Sequence, residues 1–114
     1  MDRNTFIDLL KENIGLIIIK FGAEWCKPCK LIEGYVEKKF NEMPLDVTCI
    51  KIDIDDHLDL YAFLKSKKMV TGVPAILCYE KGNISYIPVD SVLGTDINEL
   101  DAFFDRCLTI LSEL

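Results

Sequence analysis

The stretch Leu16-Ile17-Ile18-Ile19-Lys20-Phe21-Gly22-Ala23-Glu24-Trp25-Cys26-Lys27-Pro28-Cys29 decides the fold of this chain. Its first six residues are apolar except Lys20, a composition typical of a strand covered by helices on both faces, as in parallel sheets. Gly22-Ala23-Glu24 predicts a bend, and a helix is expected to begin at about Cys26. Two cysteines separated by two residues therefore lie where a buried strand gives way to a helix, and there they can close and reopen a small disulfide.

The start of a helix favours redox chemistry at such a pair. Unpaired backbone N–H groups and the positive end of the helix dipole stabilise a thiolate on Cys26, and only the thiolate attacks a disulfide. Cys29 lies almost one turn later, where it can attack the resulting mixed disulfide and release the reduced substrate. Pro28 is tolerated in a first helical turn. Lys27 either favours the thiolate slightly or is an ordinary exposed lysine.

Half of a zinc site is the alternative reading of the two cysteines. A structural zinc site needs four ligands, and the other candidates are the scattered Cys49, Cys78, Cys107 and the single His57. None of these has the spacing of a second ligand pair, so redox chemistry is favoured. The three other cysteines are expected to pack as small buried hydrophobes.

Length and charge limit the other function classes. The 114 residues predict a single domain, residues 1–114. The formal net charge of −6 and the absence of a basic run argue against nucleic acid as a partner. The longest unbroken apolar run, Leu16–Ile19, is too short to span a membrane. Because the N-terminus lacks the pattern of a secretion signal, we expect a cytoplasmic protein.

Hydrophobic periodicity and turn residues predict an α/β domain of element order αβαβαββα, with a central mixed sheet of about four strands and helices on both faces. The first half of the chain is predicted to form a helix over 4–13 capped by Asn4, a strand over 16–21, a helix over 26–41 interrupted at Gly34, and a strand over 47–54. The second half is predicted to form a helix from Asp55 or Asp56 to Lys67, a strand over 75–79, a hairpin turn at 81–83 and an edge strand over 84–89. The last helix is predicted to begin at a cap at Asp96 and to carry one apolar face, formed by Ile97, Leu100, Phe103, Phe104, Cys107, Leu108 and Leu111.

Residues along nearly the whole chain resemble those of thioredoxins. They are Phe21, Ala23-Glu24-Trp25-Cys26-Lys27-Pro28-Cys29-Lys30, Lys51, Asp55, Gly72-Val73-Pro74, Gly82 and Gly94. The resemblance implies the thioredoxin fold, with Cys26 exposed at the start of a helix and no bound cofactor besides the Cys26–Cys29 disulfide.

The resemblance also implies a substrate-binding groove. Pro74 would be a cis-proline opposite the disulfide, and the backbone of Val73 would pair with an extended substrate segment. Trp25, Gly72 and Gly94 would line the same groove, with the motif residues Lys27 and Pro28 beside them.

Four positions depart from the pattern of thioredoxins. Lys20 stands where they carry a buried aspartate that helps move the proton of the resolving thiol. With Lys51 at the family's usual lysine position, the usual acid and lysine pair becomes two lysines unless another carboxylate reaches in. We expect Lys20 to stabilise thiolate and to make the chain more oxidising. Gly22 stands where tryptophan is common, Gly34 replaces a helix-kinking proline, and Lys27 replaces the glycine of the usual Cys-Gly-Pro-Cys motif.

The chain also begins too late to supply the family's first strand. The strand over 47–54 is therefore expected to lie at a sheet edge, blunted by Lys51 and Asp53. We expect a monomer, with weak pairing to a partner or a second copy as the alternative.

These observations favour a protein thiol-disulfide oxidoreductase of the cell's redox homeostasis and electron transport. It would most simply be a disulfide reductase that is recycled by a thioredoxin reductase using NADPH. A glutathione-linked or oxidase-like variant is the first alternative. A non-catalytic scaffold is the second, because Ile19-Lys20-Phe21-Gly22 is similar to a stretch in spliceosomal thioredoxin-like proteins.

Overall fold

The computed structural model describes all residues from 1 to 114. Its helices and strands are α1 (Arg3–Lys11), β1 (Leu16–Gly22), α2 (Lys27–Leu31), α3 (Glu33–Asn41), β2 (Val47–Asp53), a 3-10 turn (Ile54–Asp56), α4 (Leu58–Ser66), β3 (Ala75–Glu80), β4 (Asp90–Leu93) and α5 (Ile97–Ser112). The predicted α/β class with a four-stranded mixed sheet is confirmed.

The strands lie in the order β2-β1-β3-β4. The central strand β1 pairs parallel with β2, with Lys20 opposite Lys51. It pairs antiparallel with β3, which in turn pairs antiparallel with β4. β2 lies at an edge of the sheet, as the sequence predicted.

The two faces of the sheet bury separate apolar cores because side chains alternate along each strand. Ile17, Ile19 and Phe21 of β1 pack with α1 and α4 on one face. Leu16 and Ile18 pack with α3 and α5 on the other. Because side chains alternate along β1, Lys20 lies on the same face as Leu16 and Ile18. It lies beyond the end of the apolar core on that face.

The helix predicted over 26–41 is two helices. It breaks at Ile32, which ends α2 and precedes α3, two residues before the expected interruption at Gly34. The apolar stripe of the prediction survives the break, because Ile32 and Val36 are both buried in the second core.

The strand predicted over 84–89 is wrong. The turn predicted at 81–83 is present, with the Asn83 N–H donating to the Glu80 carbonyl at 3.1 Å, but it leads into a loop and does not form a hairpin. Residues 81–89 form a loop, and the last strand begins only at Asp90. Within the loop, the Asn83 amide donates to the Ile87 carbonyl and its oxygen accepts from the Ser85 N–H. Such side-chain bonds compete with strand pairing, and Pro88 cannot donate at all. The predicted antiparallel pairing of the last two strands is correct.

Two predicted helix caps are displaced. Asp2, not Asn4, caps α1 and accepts from the Thr5 N–H at 2.8 Å. Neither Asp55 nor Asp56 caps α4, which begins after His57 because a 3-10 turn intervenes. The predicted cap of the last helix is correct, since Asp96 accepts from the Asn98 and Glu99 N–H groups. Ile97 and Leu108 of its predicted apolar face are exposed.

Candidate functional site: the cysteine pair and its surroundings

Cys26 and Cys29 form a disulfide at the carboxyl end of β1, with their Cα atoms 5.3 Å apart. Cys26 is the cap residue of α2, and its Sγ accepts a hydrogen bond from the Cys29 N–H at 3.2 Å. After reduction, the same N–H can stabilise a thiolate on Cys26, because hydrogen bonds to the charged form lower a pKa. The geometry therefore distinguishes the two sulfurs. The expectation that Cys26 is exposed is wrong, since only 4% of its surface is accessible.

A loop from another part of the chain faces Cys26. The Val73–Pro74 peptide bond is cis, as the family resemblance implied. The Val73 carbonyl oxygen lies 3.8 Å from Cys26 Sγ, and the Pro74 carbonyl accepts from the Gly94 N–H at 3.0 Å. The structure thus brings Val73, Pro74 and Gly94 together beside the pair, with Gly72 adjacent in the loop.

Trp25 is exposed beside the disulfide, with 66% of its surface accessible. Its indole N–H donates to the Asp55 carboxylate at 2.8 Å. Sequence reasoning assigned Asp55 to a helix cap and missed this contact, which joins residues 30 positions apart. The motif residues Lys27 and Pro28 are also exposed.

A cleft of about 500 Å³ opens beside Cys29. We call it the Cys29 cleft; its lining includes Lys20, Gly22, Cys29, Lys30, Glu33 and Lys51. Cys26, Val73 and Pro74 do not line it, so it is distinct from the loop that faces Cys26.

Lys20 is the buried cation of this cleft, with 8% of its surface exposed. Its ammonium makes no hydrogen bond and no ion pair, whereas Lys51 pairs with Glu37 at 2.5 Å. Burial lowers the pKa of Lys20; Glu33 opposes that effect, Lys51 adds to it and Glu37 opposes it. The sequence left open whether a carboxylate reaches the two lysines: Glu37 of α3 pairs with Lys51, and no carboxylate pairs with Lys20.

The other three cysteines lie apart from the site. Cys78 of β3 and Cys107 of α5 are fully buried in the second core, and Cys49 of β2 packs against that core. Burial raises the pKa of Cys49 to about 11, and the neighbouring Cys78 adds to the effect. All three are free thiols. Their packing in or against the core is the role that the sequence favoured for them.

The structure contains neither a cluster of metal ligands nor a helix that could span a membrane. It holds no group of three or more His, Cys, Asp or Glu side chains arranged around a common metal position. None of its helices has both the length and the apolar character needed to cross a bilayer.

A sequence model of the thioredoxin family matches residues 1–106. The chain belongs to the thioredoxin family. Among curated relatives, mouse mitochondrial thioredoxin is 32% identical over 108 residues, which are 94% of this chain and 60% of that protein. Putative thioredoxin-4 of Dictyostelium discoideum is 41% identical over 79 residues, 69% of this chain and 70% of that protein. The chain thus spans about 60% of the length of the mammalian mitochondrial relatives that it matches.

Solved thioredoxin structures superpose on the whole fold. The thioredoxin of Trichomonas vaginalis aligns with a TM-score of 0.71 and 25% identity, over 93% of this chain and 91% of that one. A Plasmodium falciparum thioredoxin aligns with a TM-score of 0.70 and 27% identity, over 92% and 93%. The family's domain in this chain thus carries a close cysteine pair, Cys26 and Cys29, joined as a disulfide.

Proposed function

We propose that the protein is a protein-disulfide reductase. The observation that carries the proposal is the asymmetry of the pair: Cys26 Sγ receives the Cys29 N–H and lies beside the cis-proline loop, while Cys29 lies behind it. The Cys26 thiolate attacks a substrate disulfide, one substrate sulfur leaves as a thiolate, and a mixed disulfide forms. Cys29 then loses its proton and attacks Cys26 Sγ, which closes the internal disulfide and expels the second substrate thiolate.

Protein substrates would bind around Cys26. The exposed Trp25, Lys27 and Pro28 form one side of the proposed groove, and Gly72, Val73, Pro74 and Gly94 form the other. The Val73 backbone would pair with an extended substrate segment, as in strand addition. Support comes from the 3.8 Å contact of the Val73 carbonyl with Cys26 Sγ, which places this backbone beside the reacting sulfur.

The proposed partners are disulfide-containing proteins and a thioredoxin reductase that uses NADPH, with a glutathione system as the alternative source of electrons. We place the protein in the cytoplasm and propose a monomer. The three free thiols suit a reducing compartment, while the mammalian relatives are named mitochondrial. Imaging of a tagged full-length protein tests the location.

Lys20 is proposed to act on the resolving step. A buried cation that lines the cleft of Cys29 favours the Cys29 thiolate and hence the reduced dithiol, which raises the reduction potential. The test is Lys20→Asp, which should raise the Cys29 pKa and lower the potential. Unchanged values of both would remove Lys20 from the mechanism.

Reduction of insulin disulfides by a small dithiol tests the reductase proposal. Wild type and Cys49→Ala should accelerate the precipitation of insulin, and Cys26→Ser should not. Equal rates for wild type and Cys26→Ser would contradict the proposal and favour a non-catalytic scaffold.

A further inference from the structure

Both cysteines of the pair are buried to a similar extent in this chain. Cys26 retains 4% of its surface and Cys29 retains 5%. The two residues open to different places, because Cys29 lines the Cys29 cleft and Cys26 does not. A molecule small enough to enter the cleft therefore meets Cys29 without passing through the groove proposed for protein substrates.

Gly22 keeps this approach open. A Cβ at position 22 would lie 3.5 Å from Cys29 Sγ, at ordinary contact distance. A side chain that extends beyond Cβ would occupy space next to the sulfur. Because glycine has no side chain, that space remains part of the Cys29 cleft.

The charge inside the cleft favours anions. The rim of the cleft carries negative charges on Glu24, Glu33 and Asp53 and positive charges on Lys30 and Lys51. Lys51 is paired with Glu37. Lys20 is the one charged residue of the lining that is more than nine-tenths buried, and it has no partner. Solvent screens a buried charge less than exposed ones, so the Lys20 ammonium is the least screened charge of the lining, with Glu33 and Glu37 of α3 opposing it.

We propose that the Cys29 cleft binds small anionic thiols and their disulfides and gives them direct access to Cys29 Sγ. The inference rests on the proposed redox role of the pair. A bound small thiolate attacks Cys29 Sγ, the Cys26–Cys29 bond breaks, and Cys26 leaves as the thiolate that accepts the Cys29 N–H. A second thiolate attacks the small molecule's sulfur in the mixed disulfide and expels Cys29, so two thiols are oxidised and the pair is reduced.

The chemistry of exchange favours this direction of attack. A disulfide is opened faster when the departing sulfur has the lower thiol pKa. Cys26 Sγ receives a backbone N–H at 3.2 Å and is therefore the better leaving group of the two. Attack at Cys29 is thus chemically preferred wherever the sulfur can be reached, and the cleft makes it reachable.

Labelling of Cys29 in the reduced Cys26→Ser variant tests the proposal. Two methanethiosulfonates of similar size are compared, one carrying a sulfonate and one a trimethylammonium, and mass spectrometry locates the modified cysteine. Each transfers its thioalkyl group to the thiolate and releases methanesulfinate. Each rate is divided by the rate of the same reagent on a small free thiol, because any thiolate reacts faster with a cation than with an anion, and all comparisons use these normalised rates. Because both reagents need the same thiolate, the ratio of the normalised rates reports the charge of the approach and not the pKa of Cys29.

We expect the anionic reagent to react about fivefold faster than the cationic one at Cys29. In Cys26→Ser/Lys20→Gln the ratio should fall to about one. The matched control is Cys26 in Cys29→Ser, whose ratio should not change with Lys20→Gln. A ratio at Cys29 that is below one, or that is independent of Lys20, overturns the proposal.

Gly22→Trp provides a second variant, which should slow labelling of Cys29 about tenfold or more and leave Cys26 labelling unchanged. Thermal unfolding verifies that each variant is folded. Unimpeded labelling in a folded Gly22→Trp protein also overturns the proposal. If Cys29 labelling does not depend on charge but the wild-type protein reduces insulin, the cleft proposal is wrong and the reductase function stands. If Cys29 labelling is charge-selective but the wild-type protein does not reduce insulin, the reductase function alone is refuted.

Discussion

At the scale of single residues, burial and one backbone hydrogen bond divide the five cysteines into two chemical kinds. Cys26 accepts the Cys29 N–H, which lowers the free energy of its thiolate. Cys49, Cys78 and Cys107 have no such donor, and burial raises the pKa of Cys49 to about 11. Reactivity should therefore be confined to the pair.

Alkylation of the reduced native protein checks this division. At about pH 8, iodoacetamide should modify Cys26 first and should leave Cys49, Cys78 and Cys107 unmodified until the protein is unfolded in urea. Peptide mapping gives the order. Rapid native modification of Cys49 would mean that the edge strand opens far more readily than its packing indicates.

Lys20→Met should raise the free energy of unfolding at neutral pH. Burial lowers the pKa of Lys20 in the folded state, so the folded protein carries a penalty for the charged amine. Below the lowered pKa both states hold the proton and the penalty is complete. As pH rises toward the ordinary value of 10.5, the folded state releases its proton first and wild-type stability increases relative to the variant.

Urea unfolding of wild type and Lys20→Met across this alkaline range measures the difference. The advantage of Lys20→Met should shrink as pH rises. An advantage that grows with pH would show that the native environment favours the ammonium, with Glu33 and Glu37 outweighing burial.

At the scale of elements, a close backbone contact fixes the entry to β1. A Cβ on Gly15 would lie 2.3 Å from the Asp46 carbonyl oxygen, and that oxygen accepts the Leu16 N–H. Gly15 also accepts from the Lys81 N–H at 2.8 Å. The start of β1, the loop before β2 and the loop after β3 therefore meet at a position that only glycine fits.

Gly15→Ala should destabilise the fold by about 2 to 4 kcal/mol, because the backbone on both sides would have to move. Gly34→Ala is the matched control. Gly34 lies in α3 with no atom near its Cβ position, and alanine there should stabilise by about 0.5 to 1 kcal/mol. Chemical denaturation measures both. A neutral Gly15→Ala would contradict the packing of this corner.

At the scale of elements, the sequence predicted the features that depend on local patterns and missed those that depend on tertiary contacts. The apolar run of β1, the apolar stripes of the helices, the cap at Asp96 and the Cys-Lys-Pro-Cys spacing are local signals, and they predicted the fold class and the cysteines that pair. The last strand was misplaced because Ile84 to Ile87 read as a strand, whereas Asn83 holds those residues in a loop. The strand starts at Asp90, whose carboxylate binds Arg106 of α5 at 2.7 Å, a tertiary contact without a sequence signal.

The candidate site likewise has features that were predicted from the sequence and features that were not. The cis-proline followed from the family resemblance. The Trp25–Asp55 bond, the glutamates of α3 near Lys20 and the Cys29 cleft depend on tertiary packing, so no local pattern could have revealed them.

At the scale of the whole molecule, the open edge of β2 determines how copies of the chain meet. Its unpaired backbone groups could template association, but Lys51 and Asp53 place charges along the edge. We expect light scattering to give a monomer of about 13.0 kDa. Lys51→Val/Asp53→Val should self-associate. A stable wild-type dimer that the double variant does not strengthen would show that association uses another surface.

The central claim is that Cys26 attacks protein disulfides and Cys29 resolves them. The most direct measurement traps the intermediate: reduced Cys29→Ser and Cys26→Ser are each mixed with insulin, quenched with acid and mapped by mass spectrometry. We predict that Cys29→Ser accumulates a mixed disulfide at Cys26 and that Cys26→Ser accumulates little at Cys29, because the cleft excludes a protein substrate. A mixed disulfide that forms faster at Cys29 than at Cys26 would contradict the account.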